Sequence, residues 1–328
     1  MRVAIFLTKE NFGGFYVAEA FAAGVRACGD TPFFISRGED VEAALHDFDV
    51  GVQVGFGKVR TGAREKFRSM VPRLVSENGK RLITIETGFF DSQTEWILRE
   101  RVATGRMNLE NEAIWARMRS SAYFAVGYDG FKGGADYCNA DASADRWEKL
   151  GRQLVAWRRA GDYILVTGQP RSLSDNVVDP VAWYGDKMTQ IAAVSERPFL
   201  FRHHPRGYNR LEPLLQRLPS DVLRRLTFSQ SALLVDDLPG AYAAVVLTSN
   251  AAAAIAVAGI PVFTDDPQCI AYPVANYDFS QIESPKFPER LEWVHKLAYA
   301  QWTIAEMADG VVWRRLRSYG VSRKSRRR

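Results

Sequence analysis

The sequence predicts an α/β protein built on doubly wound, mostly parallel sheets, and three observations carry that expectation. Short apolar runs of strand length alternate with longer helix-like stretches along most of the 328 residues. The alternation comes as two successive series with a break near residues 155–162. In the second series several strand ends run straight into glycine, hydroxyl, amide or basic residues, where open α/β sheets bind ligands.

In the first series Val3–Leu7 reads as a strand, Lys9–Gly14 as a glycine-containing loop and Phe15–Ala27 as a helix. Thr31–Ser36 and Asp49–Val54 are further strands, with a helix at Asp40–Asp47 between them. Glu65–Glu77 has a helical pattern, and Arg81–Ile85 is a strand that runs into Glu86-Thr87-Gly88. Ser121–Gly127 is another strand, followed by a polar, glycine-rich run over Tyr128–Asn139. Asp145–Arg159 reads as a helix.

The second series opens on the strand Tyr163–Val166, then a helix at Pro180–Val194, a strand at Pro198–Arg202, a helix at Leu211–Leu218 and a strand near Ala232–Val235. The run Ala243–Leu247 is a buried strand. Thr248-Ser249-Asn250 then offers three N-cap residues, Ala251–Ala258 is a strong helix former, and Gly259 stops it before the strand Ile260–Phe263. A helix from Pro288 to Tyr319 closes the chain. The expected division is 1–158 and 159–290 for two Rossmann-like domains facing a cleft, 291–319 for a closing helix that packs back, and 320–328 for a basic tail.

Composition narrows the class. Hydrophobic content of 47% and charged content of 25% are ordinary for a globular protein, and no apolar run approaches bilayer length. Cys28, Cys138 and Cys269 lie far apart with no Cys/His cluster, which points to a reducing, cytoplasmic compartment and away from structural zinc. The charge is uneven. From Arg314 onward there are eight basic residues and no acidic ones, while the rest of the chain holds 35 basic against 38 acidic residues. Arg314, Arg315, Arg317, Arg323, Lys324 and Arg326 therefore form a candidate track for nucleic-acid phosphates, or for an anionic membrane surface.

Three loops carry the candidate chemistry: Thr167-Gly168-Gln169-Pro170-Arg171, Arg202-His203-His204-Pro205-Arg206 and Thr248-Ser249-Asn250. Together they hold a glycine turn, arginines, histidines and a helix start, an inventory suited to a nucleotide's phosphates without a metal. Gly168, Gln169, Arg171, Arg202, His203, His204, Thr248, Ser249 and Asn250 are the donor-site candidates. GxGxxG, GxxxxGK[ST] and GxSxG are all absent, which argues against a dehydrogenase, a P-loop or a hydrolase elbow.

The order VTGQP, RHHPR, TSN…AGIPVF over about residues 163–263 resembles the donor half of GT-B glycosyltransferases, in the capsular-polysaccharide, Kdo-transferase-like group. The strings around Tyr128–Gly168 and Leu297–Leu316 are similar to phage-encoded proteins described as glycosyltransferases. The resemblance implies a nucleotide-sugar co-substrate, a UDP-sugar first, with Gly168, Gln169, Arg202, His204, Thr248 and Ser249 lining its phosphates and sugar. It also implies an acceptor-binding first domain. Where such families often place a ribose-binding glutamate, this chain has Ala254.

Direct transfer needs a general base in the first domain. Glu86, at a strand's carboxyl end, is the first candidate and Asp136 the second, with Asp91 and Glu10 behind them. The acceptor expected is a 5-hydroxymethylpyrimidine in phage DNA, flipped out against Phe89, Phe90, Tyr128 or Phe131. Two other functions compete: a surface-polysaccharide transferase with its tail on the membrane, and a non-catalytic nucleotide-binding protein on a degenerate scaffold.

Overall fold

The computed structural model describes residues 1–7, 12–55, 63–105, 112–130, 132–169, 179–204 and 211–322. Two compact units divide the chain: Met1–Ser143 with Lys296–Arg328, and Ala144–His295. Both are α/β. Among the described residues no helix is long and apolar enough to cross a membrane.

Unit 1 alternates as expected: β1 (Arg2–Phe6), α1 (Phe12–Ala27), β2 (Thr31–Ile35), α2 (Gly38–Ala44), β3 (Val50–Val54), α3 (Ala63–Glu77), β4 (Arg81–Thr87), α4 (Gln93–Thr104), α5 (Glu112–Met118) and β5 (Tyr123–Tyr128). The sheet order is β11-β5-β4-β3-β1-β2, where β11 is Gln301–Thr303. Strands β1 to β4 pair in parallel, as a doubly wound sheet requires, while β5 runs antiparallel to β4 and β11 antiparallel to β5. Alternate residues face opposite ways, so Val50, Val52, Val54, Ile83 and Ile85 enter one core cluster, while Ala4, Phe6 and Leu82 enter the other.

Unit 2 holds α6 (Asp145–Leu150), β6 (Tyr163–Thr167), α7 (Pro180–Ala192), β7 (Phe199–Arg202), α8 (Leu211–Arg217), α9 (Ser220–Arg224), β8 (Leu226–Phe228), β9 (Ala241–Val246), α10 (Ala251–Val257), β10 (Val262–Phe263) and α11 (Leu291–Ala298), the last continuing into unit 1. Its sheet is parallel throughout, in the order β10-β9-β6-β7-β8. From β6 the chain winds outward through β7 and β8, then returns to the other side of β6 for β9 and β10. The topological switch point therefore lies between β6 and β9.

The elements depart from the sequence reading at four places. The helix expected over Asp145–Arg159 ends at Leu150, because Gly151 takes the left-handed conformation (φ 63) and bonds back to Glu148. Beyond it the backbone bonds to the far end of α10 instead, Val155 N to Val257 O at 3.0 Å. The strand expected near Ala232–Val235 is a 3₁₀ turn, Leu234–Asp237, and the strand forms earlier as β8. Helices α4 and α5 fill a stretch to which the periodicity assigns nothing.

The fourth failure is the largest. The closing helix expected over 291–319 is not one helix. It breaks into α11, β11, α12 (Ile304–Ala308) and α13 (Val311–Ser322). Thr303 and Glu306 form a reciprocal capping box that starts α12 and stops the strand before it. Gly310 then takes φ +75 directly against α1, where a Cβ would lie 2.9 Å from the Gly24 carbonyl oxygen. Trp302, Ile304, Met307, Val312, Trp313 and Leu316 all join the core of unit 1.

Candidate functional site

In unit 2 the three sequence-distant loops come from adjacent strands. Gly168-Gln169 follows β6, His203-His204 follows β7, and Thr248-Ser249-Asn250 follows β9, all at the carboxyl edge of one parallel sheet. Gln169 spans the switch point. It is 1% exposed, its Oε1 accepts from the Thr248 amide at 2.9 Å, and its Nε2 donates to Thr248 Oγ1. This side chain joins the two loops that border the crevice where such folds bind ligands. Its role is positioning, since the side chain is almost fully buried and ties the two loops together.

The supports behind it are equally local. Tyr184 of α7 donates its hydroxyl to the Thr167 carbonyl at 2.6 Å, and Thr264 donates Oγ1 to the Leu247 carbonyl at 3.0 Å. Both bonds pin the backbone where the chain leaves a strand.

Several candidates turn out differently from expectation. Arg202 is 8% exposed and donates to the buried Asp237 carboxylate, to the Ser231 carbonyl at 3.1 Å and to the Ala232 carbonyl at 2.9 Å. A guanidinium so enclosed braces the 229–237 loop and does not face a phosphate. The Gly168 amide donates to the Arg202 carbonyl at 2.8 Å, which removes it as an anion donor. The helix start behind Asn250 is also less open than its sequence implies. Ala251 N bonds to Ser249 Oγ at 3.3 Å, Ala252 N to Ser249 O at 3.1 Å and Ala253 N to Asn250 O at 3.1 Å. Asn250 makes no side-chain cap. Ser249 Oγ accepts in this turn and keeps its own proton to donate.

His203 stacks on Phe228 (centroids 5.4 Å, 19° between planes) and meets Phe201 edge-on at 5.5 Å. Burial lowers its pKa below the ordinary imidazole value. His204 is half-buried at the same strand end. Ala254 lies half-exposed on α10. Arg171 and Arg206 lie outside the described residues.

In unit 1 the candidate bases separate. Glu86 is half-buried near the carboxyl end of β4, paired with Ala125 of β5. Its carboxylate acts on Tyr137: burial first, then Glu86, pushes that phenol's pKa upward, so Tyr137 stays protonated beside it. Asp136 sits at the opposite end of β4. It binds Arg81 Nη2 at 2.9 Å, while Asp129 binds Arg81 Nε at 2.8 Å. Burial alone would raise the Asp136 pKa, but the bonds from Arg81 and from the Cys138 amide outweigh it and the net shift is downward. A carboxylate held in that way is a poor base at the wrong strand end. Asp91, at φ 43, precedes the Ser92 cap of α4 and lies 3.6 Å from Arg99. Glu10 lies outside the described residues.

The aromatic residues expected to stack on a base are core. Phe90 and Tyr128 are 0% exposed and Phe89 4%, with the Tyr128 hydroxyl donating to the Leu316 carbonyl at 3.1 Å. Phe131 lies outside the described residues. The three described arginines of the basic track are tied into unit 1. Arg315 pairs with Asp141 and lies over the Tyr299 ring at 4.6 Å, Arg317 meets Asp30 at 3.1 Å, and Arg314 donates to the Asp309 carbonyl at 3.1 Å. Arg323, Lys324 and Arg326 lie outside the described residues.

One residue escaped the sequence reading. Gln301 of β11 is 0% exposed, and its Oε1 accepts from the amides of Phe89 (2.8 Å) and Phe90 (2.9 Å), shaping the loop that follows Glu86. No periodic signal marks it, because it falls in a three-residue strand inside a helical pattern.

No family model and no curated protein matches the chain. Solved structures give distant likenesses. The KpsC β-Kdo 2,4-transferase of Thermosulfurimonas dismutans is 12% identical over 92% of this chain and 90% of its own, with a TM-score of 0.47. The β-Kdo 2,7-transferase of the same organism's KpsC is 11% identical over 95% and 99%, at 0.43. The UDP-GlcNAc 2-epimerase of Methanocaldococcus jannaschii, solved with UDP-GlcNAc and UDP, is 11% identical over 97% and 100%, at 0.36. Such identities and scores are too low to transfer a ligand or a residue's role, and the site stands on its own geometry.

Proposed function

We propose that the chain is a GT-B-type glycosyltransferase that takes a nucleotide-sugar in unit 2 and passes the sugar to an acceptor hydroxyl. The observation that supports this most is the Gln169–Thr248 bridge across the switch point between β6 and β9. It makes one continuous polar rim of Gly168-Gln169, His203-His204 and Thr248–Asn250. The diphosphate is read onto that rim, with the Ser249 hydroxyl as its donor and His204 at the neighbouring strand end. Arg202 is withdrawn from that set.

On the acceptor side Glu86 is the general base of this proposal, since it is the candidate carboxylate at a strand's carboxyl end. Asp136 is withdrawn. The acceptor is read as a hydroxyl-bearing molecule and no further. A hydroxymethylated base in DNA has lost the aromatic residues that supported it within the described residues, and its basic support is now the exposed Arg314 and Arg317, each with a partner in unit 1, together with residues 323–328.

The test is direct. UDP, GDP and CMP, with their sugars, are titrated by calorimetry, and sugar transfer to water or to added acceptors is followed by nucleotide release. Binding of one nucleotide in the micromolar range, with turnover abolished in Glu86→Gln, is the expected result. Binding of a nucleotide with no turnover on any acceptor would leave a non-catalytic nucleotide-binding protein, and failure of every nucleotide to bind would overturn the proposal.

A further inference from the structure

We infer that unit 1 holds a carbohydrate ring against Thr84, Glu86 and Tyr137, on the face of its sheet turned away from α1, so that the accepting hydroxyl belongs to a sugar. The inference rests on unit 1 as the acceptor side of the reading above. Val52, Val54, Ile83 and Ile85 join the core cluster that contains α1. Side chains alternate along a strand, so Gln53, Thr84 and Glu86 stand on the other face, with Phe6 and Leu82. That face begins as apolar core: a Cβ on Gly51 would meet Phe6, Leu82 and Val75. Two residues toward the carboxyl end it turns polar. Gln53 of β3 pairs with Thr84 of β4, Thr84 with Gly127 of β5, and Glu86 with Ala125. Gly127 makes room for Tyr137, whose ring carbons lie 2.7 and 2.9 Å from where a Cβ would stand. Directly opposed residues share a face, so the phenol lies beside Thr84, and the Glu86 charge reaches it.

Burial is what makes this row informative. Gln53 is 2% exposed, Thr84 4% and Tyr137 8%. Among the described residues neither the Thr84 nor the Tyr137 hydroxyl has a hydrogen-bond partner. A hydroxyl withdrawn from water without a partner costs free energy, and valine or phenylalanine would fill a plain core site without that cost. A ligand that completes the bonds removes it. Glu86 is half-buried, so the row opens at the carboxyl end of β4. Each hydroxyl both donates and accepts, and a carboxylate accepts from two neighbouring hydroxyls at once. Vicinal hydroxyls on a sugar ring match that set. A nucleobase finds no open ring here, because Phe89 is 4% exposed and meets Tyr137 edge-on at 5.7 Å.

Hydrogen exchange on the full chain, read by mass spectrometry, tests this with a panel of methyl glycosides. Glycerol and 5-hydroxymethyl-2′-deoxycytidine serve as comparison compounds. A methyl glycoside is expected to slow exchange in the segments holding residues 84–86 and 137, and neither comparison compound is. Thr84→Val and Tyr137→Phe keep the side-chain shape and remove one hydroxyl each. Each should weaken that glycoside about three- to tenfold, the size of one hydrogen bond. Neither should lower the melting temperature, because no bond within the protein is lost. A lower melting temperature with unchanged glycoside affinity makes the hydroxyls structural and overturns the inference. So does protection elsewhere in the chain, protection of β4 by a comparison compound, or binding of no glycoside at all. If Tyr137→Phe does not fold, Thr84→Val decides alone. Turnover retained in Glu86→Gln removes the base proposed above and leaves the sugar site standing, so the two failures are told apart.

Discussion

Gln169 and Arg202 end neighbouring strands, and each shows what a polar side chain does when the backbone around it is buried. Gln169 closes on Thr248, so Gln169→Leu leaves the Thr248 amide without its acceptor. A loss of about 1–3 kcal/mol is expected in urea unfolding, with weaker nucleotide binding because the rim is no longer joined. Arg202 closes on Asp237, which is 4% exposed. Arg202→Met strands that carboxylate and should cost about 3–5 kcal/mol, while the nucleotide affinity of the folded fraction is unchanged. A fall in affinity without a fall in stability would restore Arg202 to the donor site. Asp136 yields a pH signature. Its folded pKa lies below its unfolded value, so its contribution is full above the ordinary carboxylate pKa of about 3.9 and disappears as pH falls through the folded value. The stability gap between the wild type and Asp136→Asn, measured by denaturant, should be present at pH 7 and close in acid. The strand ends that carry these residues were legible in the sequence, because apolar runs bounded by polar loops mark them. Which of the residues face inward was not, since Arg202 pairs with a carboxylate 35 positions away.

At the scale of elements, β11 is the clearest case of tertiary context overriding local pattern. Residues 291–319 have the apolar spacing of one long helix, and α13 keeps that spacing. The middle of the run goes to the sheet instead, because β5 offers a free edge and Thr303 with Glu306 restarts the helix one strand later. The consequence reaches Glu86 through Gln301. Gln301→Ala frees two buried amides, Phe89 and Phe90, and should cost about 2–4 kcal/mol. Hydrogen exchange at those two amides should accelerate more than at the rest of β4, and uniform acceleration would deny Gln301 its local role. The parallel cores, by contrast, were readable. Strands β1, β6 and β9 are mostly short apolar runs, and burial on both sheet faces demands that composition.

For the whole molecule, charge separates two roles that one basic segment had been assigned. Arg315 and Arg317 tie α13 to Asp141 and Asp30 and Arg314 bonds to the Asp309 carbonyl before it, whereas residues 323–328, outside the described residues, contribute five positive charges. Deleting 323–328 takes the formal net charge from +5 to zero. If the chain binds DNA electrostatically, this truncation should abolish binding and flatten its salt dependence, while Arg315→Ala lowers the melting temperature and leaves the salt slope alone. Retained affinity after truncation would move any nucleic-acid contact elsewhere on the molecule.

Because unit 1 is made of two chain segments separated by all of unit 2, its last sheet strand and two of its helices are synthesised after unit 2. Unit 2 is continuous from Ala144 to His295 and has its complete sheet as soon as that stretch has emerged. Unit 1 must wait with the core face of α1 uncovered until Trp302, Met307 and Trp313 arrive. On a ribosome the order of completion is therefore the reverse of the order of translation: the later unit folds first, and the earlier one is the species at risk of aggregation in the interval.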